Sequence, residues 1–520
     1  MRRSIFACVA WLFALHAPAD EVHTSADAIN VGTNAEIRST NPGVNRDTNT
    51  DAVLMHMVEG LVAYREDGTV GPMLAEKIDV SSDLRTYTFT LRSNVRFHNG
   101  ALLTSSDVIW SWKRYLDPKT QWLCRSEFDG AKGFKIESVE APGPLTVVFR
   151  LNRPRPLFLS EMAAFQCGAS AILHRDSVYP DGSWRAPVGT GPYRFSRWIR
   201  GQVVELRAFK NYSSRGGPSD GYTGGKVAYA PLVRWILIKD EGARRAALLK
   251  GQVDVLPGVT PDQLVEMGSP RGIRVSNAPS MAVNVLLMQT RDPVLANPLL
   301  RQALAHSLDT QAIARYASGE AGVANASMVP VPSAFHTDAH KQGYAFDLAL
   351  ARKLVARSGY KGEPISMLTN RRYPDMYDQA ILIQGMAKKA GINIQLEVLE
   401  WATQLDRFQT GKYQLMSFAY SSRPDPFLSY EGIIGDKNRS KRKVWDDPKA
   451  IDLLGRVAAS ADAGQRQDLF NQLHRLMLAD TPVVVLFNPG DSYALRASVQ
   501  GFVPWSQNRE RLWGVRLKTP

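Results

Sequence analysis

Cysteine is scarce in this chain, with three residues in 520: Cys8, Cys124 and Cys167. No CxxC pair and no Cys/His zinc spacing occurs, so no metal role falls to them. Long apolar runs are missing too. Beyond the first twenty residues no stretch reaches the roughly twenty uncharged residues that a membrane-spanning helix needs. Motifs of known chemistry are equally absent: there is no GxSxG elbow, no HExxH, no complete GxGxxG and no Walker loop. GTGPYRF (189–195) lacks the third glycine, and GYTGGK (221–226) has the wrong spacing. With no nucleophile, base and oxyanion donor to assemble, a secreted hydrolase is disfavoured and the chain reads as a non-enzyme.

What is present is the composition of a multidomain globular protein, 44% hydrophobic and 22% charged. The net charge of +13 is spread along the chain, and KNRSKRK (437–443) is its one short basic block. No stripe or motif marks a nucleic-acid partner. At the start, Arg2 and Arg3 precede an apolar run at 5–15, followed by Ala17-Pro18-Ala19. This is the pattern of a secretory signal over residues 1–19. Cys8 lies inside the apolar run rather than after it, against a lipid anchor. An exported, soluble protein makes Cys124 and Cys167 a candidate disulfide, with two buried thiols as the other reading.

Periodicity supplies the architecture. Residues 44–64 read as helix, RTYTFTLRSNVRFHNG (85–100) as a half-buried strand and turn, and Ser105 or Ser106 as the cap of the next helix. Further on, helix, glycine and strand recur in that order around Gly251, Gly359, Gly391 and Gly411, which predicts α/β layers. YQLMSFAY is one such strand, so SSRPDP (421–426) leaves its carboxyl end, where open α/β sheets bind ligands. NRRYPD (370–375) leaves the end of another. Arg423, Arg371 and Arg372 thereby fall on one rim, as an anion site or as solvated turns. His336 and His340 sit in a loop with little case for metal, and His98 reads as shaping a turn.

GPMLAEKIDVSSDLRTYTFTLRSNVRFHNGALLTSSDVIWSWKRYLDP (71–118) resembles the signature block of the family 5 extracellular solute-binding proteins of ABC transporters, which deliver peptides, nickel chelates and related solutes. Blocks at 187–212, 299–314 and 344–360 agree in order, so the resemblance spans the mature chain. It implies a type II periplasmic binding protein fold, α/β, with two lobes, a hinge and an inserted α+β module. The implied division is lobe I at 20–52, 185–280 and 486–520, the module at 53–184, and lobe II at 281–485. It further implies no cofactor, a monomer, periplasmic location, and a permease as partner. A receptor for a membrane sensor and a nickel-chelate binder are the alternatives with the same fold.

Carried over position by position, the resemblance gives the ligand carboxylate to Arg371, or to Arg372 as the alternative. The family aspartate that holds a ligand amine stands four residues before the proline of a DP or EP motif, and here that position is Ser422. A hydroxyl cannot supply that charge, and Arg423 beside it repels an ammonium. An ordinary free-amine peptide is therefore disfavoured. Arg423, with Tyr420, Ser421 and Ser422, is expected to face the cleft; otherwise Arg423 pairs with Asp425 and turns to solvent. Asp425 is expected to hold the turn, with compensation for the lost amine contact as its other role. Trp401 either stacks on ligand or packs in the core. Asn45, Arg46 and Asp47 are the expected contacts from lobe I, Asp47 being the best amine partner, and FNPGDSY (487–493) is a weaker contributor.

Overall fold

The computed structural model describes residues 28–518. The signal segment 1–19 and Cys8 lie outside the described residues.

The helix-glycine-strand units form as their local chemistry dictates. Gly251, Gly359, Gly391 and Gly411 all take positive φ directly after helices, the left-handed turn that side chains resist. The strands that follow are Val255–Pro257, Ile365–Thr369, Ile394–Val398 and Leu415–Tyr420. The last three lie parallel at one side of a six-stranded sheet. Its centre is Val283–Met288, whose Val283, Val285 and Leu287 enter one core and whose Leu286 and Met288 enter the other. Burial on both faces explains why this strand is apolar throughout.

A second, seven-stranded sheet is built from three stretches of sequence. Ala28–Thr33 runs parallel to Leu232–Leu237 and Val255–Pro257, with Tyr193–Ile199, Val203–Ala208, Ile273–Pro279 and Gly490–Arg496 beside them. A four-stranded antiparallel sheet, Ala75–Val80, Thr86–Leu91, Thr146–Leu151 and Ile136–Gly143, shares its core with the seven-stranded one. Within it the structure joins Cys124 to Cys167 across 43 residues, a closure that contributes about 4 kcal/mol in the chain-entropy picture.

Two expectations need correction. Residues 44–64 are not one helix: Thr48–Leu54 is helical, and Val62–Tyr64 is a strand paired with Val70–Pro72. Gly60 sits so close to the Ala169 carbonyl that a Cβ there would overlap it, a tertiary constraint invisible to periodicity. The helix Ser105–Leu116 is capped by Thr104, in a box with Asp107, rather than by Ser105 or Ser106. Ser105 instead donates to the Gly143 carbonyl at 2.8 Å.

The chain crosses between the two large sheets twice, from Ile273–Pro279 into Val283–Met288 and from Val483–Asn488 into Gly490–Arg496. The crossings are bonded to each other by Ser280 N to Pro489 O at 2.8 Å. Gly490 presses on Ala321, where any side chain would collide. Met281 is held from both sides: its N–H donates to Ser506 O at 2.8 Å, and its carbonyl accepts from Arg423 N at 3.4 Å.

Candidate ligand cleft

The loop 421–425 lies at this junction. Ser422 Oγ donates to Ser506 O at 3.4 Å, and a Cβ on Gly68 would stand 2.8 Å from Pro424 O. Asp67 O, on the same turn as Gly68, accepts from Ala334 N at 3.0 Å. The loop is therefore wedged between the two sheets. Among the described residues the Arg423 guanidinium finds no hydrogen-bond or ion-pair partner, and its Nε is buried. Burial pulls its pKa down, Tyr420 and Glu431 oppose this, and Arg442 adds to it. Glu431 is itself held by Arg442 at 3.1 Å and Lys443 at 2.5 Å, so it is no dedicated counter-ion for Arg423.

Asp425 holds the turn as expected, its carboxylate accepting from Phe427 N at 2.9 Å to cap the helix Pro426–Ile433. It does not pair with Arg423. Arg466 takes both its oxygens, at 2.7 and 2.9 Å, in a buried pair. No oxygen is left free of strong partners to compensate for the missing amine contact. Tyr420 also departs from the expectation. Its side chain is buried, the ring 5.2 Å from Phe418 and the hydroxyl 3.4 Å from Gly432 O, so it faces the core and not the cleft. Ser421 is exposed and Ser422 half-buried.

Arg371 and Arg372 lie exposed after the adjacent strand Ile365–Thr369, and neither forms an ion pair among the described residues. Arg371 stacks on Tyr377 at 4.3 Å and donates to its hydroxyl at 2.8 Å; Arg372 lies 5.9 Å from the Tyr373 ring. Trp401 is half-buried between Tyr373, at 4.9 Å, and Phe418, at 6.1 Å, and so packs at the core margin. Beneath these loops runs a polar ladder that sequence reasoning missed. Asn370 donates to Gln404 (2.8 Å), Gln404 to Ser417 O (2.9 Å), Gln379 to Ser417 Oγ (2.7 Å), and Asn284 to both Gln379 (3.1 Å) and Asp375 (2.8 Å). These bonds between buried polar groups hold the strands in place, with Asn284 Oδ1 left unpartnered. The signal was there in polar residues placed in or at the end of apolar strands: Ser417 inside Leu415–Tyr420 and Thr369-Asn370 at the end of Ile365–Thr369.

From the other sheet comes the loop 41–47. Asn45 is exposed at its tip, with φ of 44°. Arg46 is paired with buried Asp51, which Arg509 also reaches at 3.3 Å. Burial raises the Asp51 pKa despite both arginines. Asp47 is not the free carboxylate expected. It caps Thr48–Leu54 through Thr50 N at 2.8 Å and binds Arg38 at 3.0 Å. Burial pushes its pKa up, but these bonds outweigh it and hold the value below the usual carboxylate range. On the second crossing strand, Asp491 has the one buried, unpartnered carboxylate oxygen among the described residues. Burial pushes it up to about 7, against the Asn508 backbone and Arg509.

The histidines take structural places. His98 bonds Gly191 O at 3.0 Å and holds its turn. His340 is buried beside His336 and His474 and pushed down to about 3, chiefly by burial. Among the described residues no group of three or more His, Cys, Asp or Glu could hold a metal.

Two open α/β sheets joined by paired strand crossings, with polar loops meeting at the junction, define a type II periplasmic binding protein. Residues 69–440 match the model of bacterial extracellular solute-binding proteins, family 5, and the chain belongs to that family. It is 26% identical over 482 residues to the dipeptide-binding protein of Escherichia coli K12, covering 88% of each chain. Among solved structures it resembles HbpA2 from Haemophilus parasuis, with TM-score 0.80 and 23% identity over 95% of this chain and 100% of that one. It also resembles AgaA of A.tumefacien R10 in complex with agropinic acid, with TM-score 0.68 and 25% identity over 95% and 99%.

Proposed function

We propose that this solute-binding protein is exported through a signal at 1–19 and serves an ABC importer, capturing a carboxylated, peptide-like solute without a free α-amino group. The two sheets with their crossings would form lobes I and II, with 53–184 as the inserted module, and the closed complex would dock on the membrane permease. The observation that carries the reading is the Arg423 guanidinium, half-buried at the inter-sheet junction with no carboxylate of the described residues paired to it. A desolvated cation left unpaired is costly, and an anionic ligand group removes that cost. Arg371 or Arg372 supplies a second cation on the same rim. For an ammonium the rim is poorly equipped, since Ser422 stands at the amine position and Asp425 and Asp47 are already bound to Arg466 and Arg38. The agropinic acid complex of AgaA and the dipeptide-binding relative from Escherichia coli bracket this class of solute.

Arg423→Ala tests it. Protein purified from the periplasm should carry its solute in native mass spectra, and the variant should carry at least about tenfold less, as expected for loss of a desolvated charge-assisted contact. Unchanged occupancy in the variant would remove Arg423 from the site.

A further inference from the structure

We infer that the Cys124–Cys167 disulfide, although it lies in the four-stranded module, positions the loop 41–47 and so controls solute capture from another domain. The inference rests on the proposed function together with the family-based expectation that Asn45, Arg46 and Asp47 on this loop face the solute. Trp122, Leu123 and Cys124 form one side of a clamp, and Cys167 and Gly168 form the other. Trp122 Nε1 donates to Cys167 O at 2.9 Å, across the gap that the disulfide closes. The loop is seated in that gap. Leu123 N donates to Gly43 O at 3.0 Å. Gly43 adopts φ of 71°, and a Cβ on it would stand 2.5 Å from Trp122 Nε1 and 2.9 Å from the Cys167 carbonyl carbon. Gly168 approaches from the far side, its added Cβ 2.6 Å from Gly43 N and from Pro42 Cβ. Both glycines are required by this close approach and by their positive φ.

Two more residues of the module hold the start of the loop. Arg114 donates to Asn41 Oδ1 at 3.1 Å, and Trp184 Nε1 to Thr40 Oγ1 at 3.0 Å. Trp122 is itself fixed among Tyr115, Trp112 and Phe128, with ring centroids 4.6 to 6.0 Å away. A rigid aromatic base plus a covalent tie leaves the loop one seat. Its far end then delivers Arg46 to Asp51 and Asp47 to Thr50. Both cysteines are at most 4% exposed, so the tie is a permanent lock set after export and not a sensor open to passing thiols.

The test compares the full-length protein with Cys124→Ser/Cys167→Ser and, with the disulfide kept, Gly43→Ala, by hydrogen exchange and by native mass spectrometry of protein taken from the periplasm. Exchange in peptides covering 40–47 should quicken roughly tenfold or more in both variants, while 365–425 stays as in the parent. The bound solute fraction should fall in both. Exchange that rises only within 120–170 in the double variant and nowhere in Gly43→Ala would overturn the clamp. A freed loop with undiminished solute would leave the clamp standing and overturn the loop's part in capture. If the double variant fails to fold, Cys124→Ala/Cys167→Val, which removes the bond while refilling its volume, takes its place, and Gly43→Ala and Trp122→Phe, which removes only the Nε1 donor, test the seat of the loop alone.

Discussion

Arg423 and Ser422 stand side by side at the position that the family resemblance assigns to an amine-binding carboxylate, and in the proposed reading the pair favours an anion. Reversing both should reverse the preference. Ser422→Asp combined with Arg423→Asn is expected to bind alanyl-alanine at least about tenfold more tightly than the parent, a change of roughly 1.4 kcal/mol readable by calorimetry. No gain would mean that the loop does not set amine recognition. Asp425 belongs to a different kind of chemistry. Its pair with Arg466 is buried, with side chains 7% and 10% exposed, so Arg466→Met strands a carboxylate and should cost about 3–5 kcal/mol in urea unfolding. Asp425→Asn/Arg466→Met should cost less, because neither charge is then left alone. The caps formed by Asp47 and Asp425 follow a local pattern, Asp before the first helical residue, and so could be read from sequence. Their arginine partners could not: the Arg466–Asp425 pair spans 41 residues and depends on tertiary packing, and the Arg38–Asp47 pair, nine residues apart, depends on how the loop folds back.

Among elements, the hinge strand Gly490–Arg496 carries a titration of its own. Asp491 has a folded pKa of about 7 against an ordinary 3.8, with burial the main cause. The folded state therefore binds the proton more tightly than the unfolded one. Stability from this group is full below about pH 4, declines as pH rises toward 7, and is flat above that. Asp491→Asn should remove this slope and gain up to a few kcal/mol relative to the parent at pH 8. Urea midpoints across pH 4 to 8 check it, and parallel curves for parent and variant would contradict it. The helix-glycine-strand units were legible because cap and turn chemistry is local. The error over 44–64 had a mixed origin: the close approach of Gly60 to Ala169 is decided by distant chain, and the Val62–Tyr64 strand by a hairpin with Val70–Pro72 that helical periodicity masked. Tyr420 was misplaced for a related reason. It ends its strand on the same face as Phe418, and only the sheet shows that this face is the core.

For the whole molecule, the two strand crossings fit the proposed mechanism, in which a solute would bridge surfaces carried by the two sheets. Arg423 and the arginines after Thr369 come from one sheet, the loop 41–47 from the other, and a solute that touches both favours the closed arrangement by its difference in affinity for the two states. Sequence conveyed the class of fold and the rim that bears the arginines. It did not convey which rim carboxylates were already bound, and on the proposed reading that distinction sets the solute class. The decisive measurement is the identity of the small molecule released by denaturing the protein purified from its own periplasm, after native mass spectrometry has shown it bound. A solute with a carboxylate and no free α-amino group is the expected result. A peptide with an ordinary free amino end would contradict the account, and would mean that the amine is met by a group other than Asp47 or Asp425 as they stand.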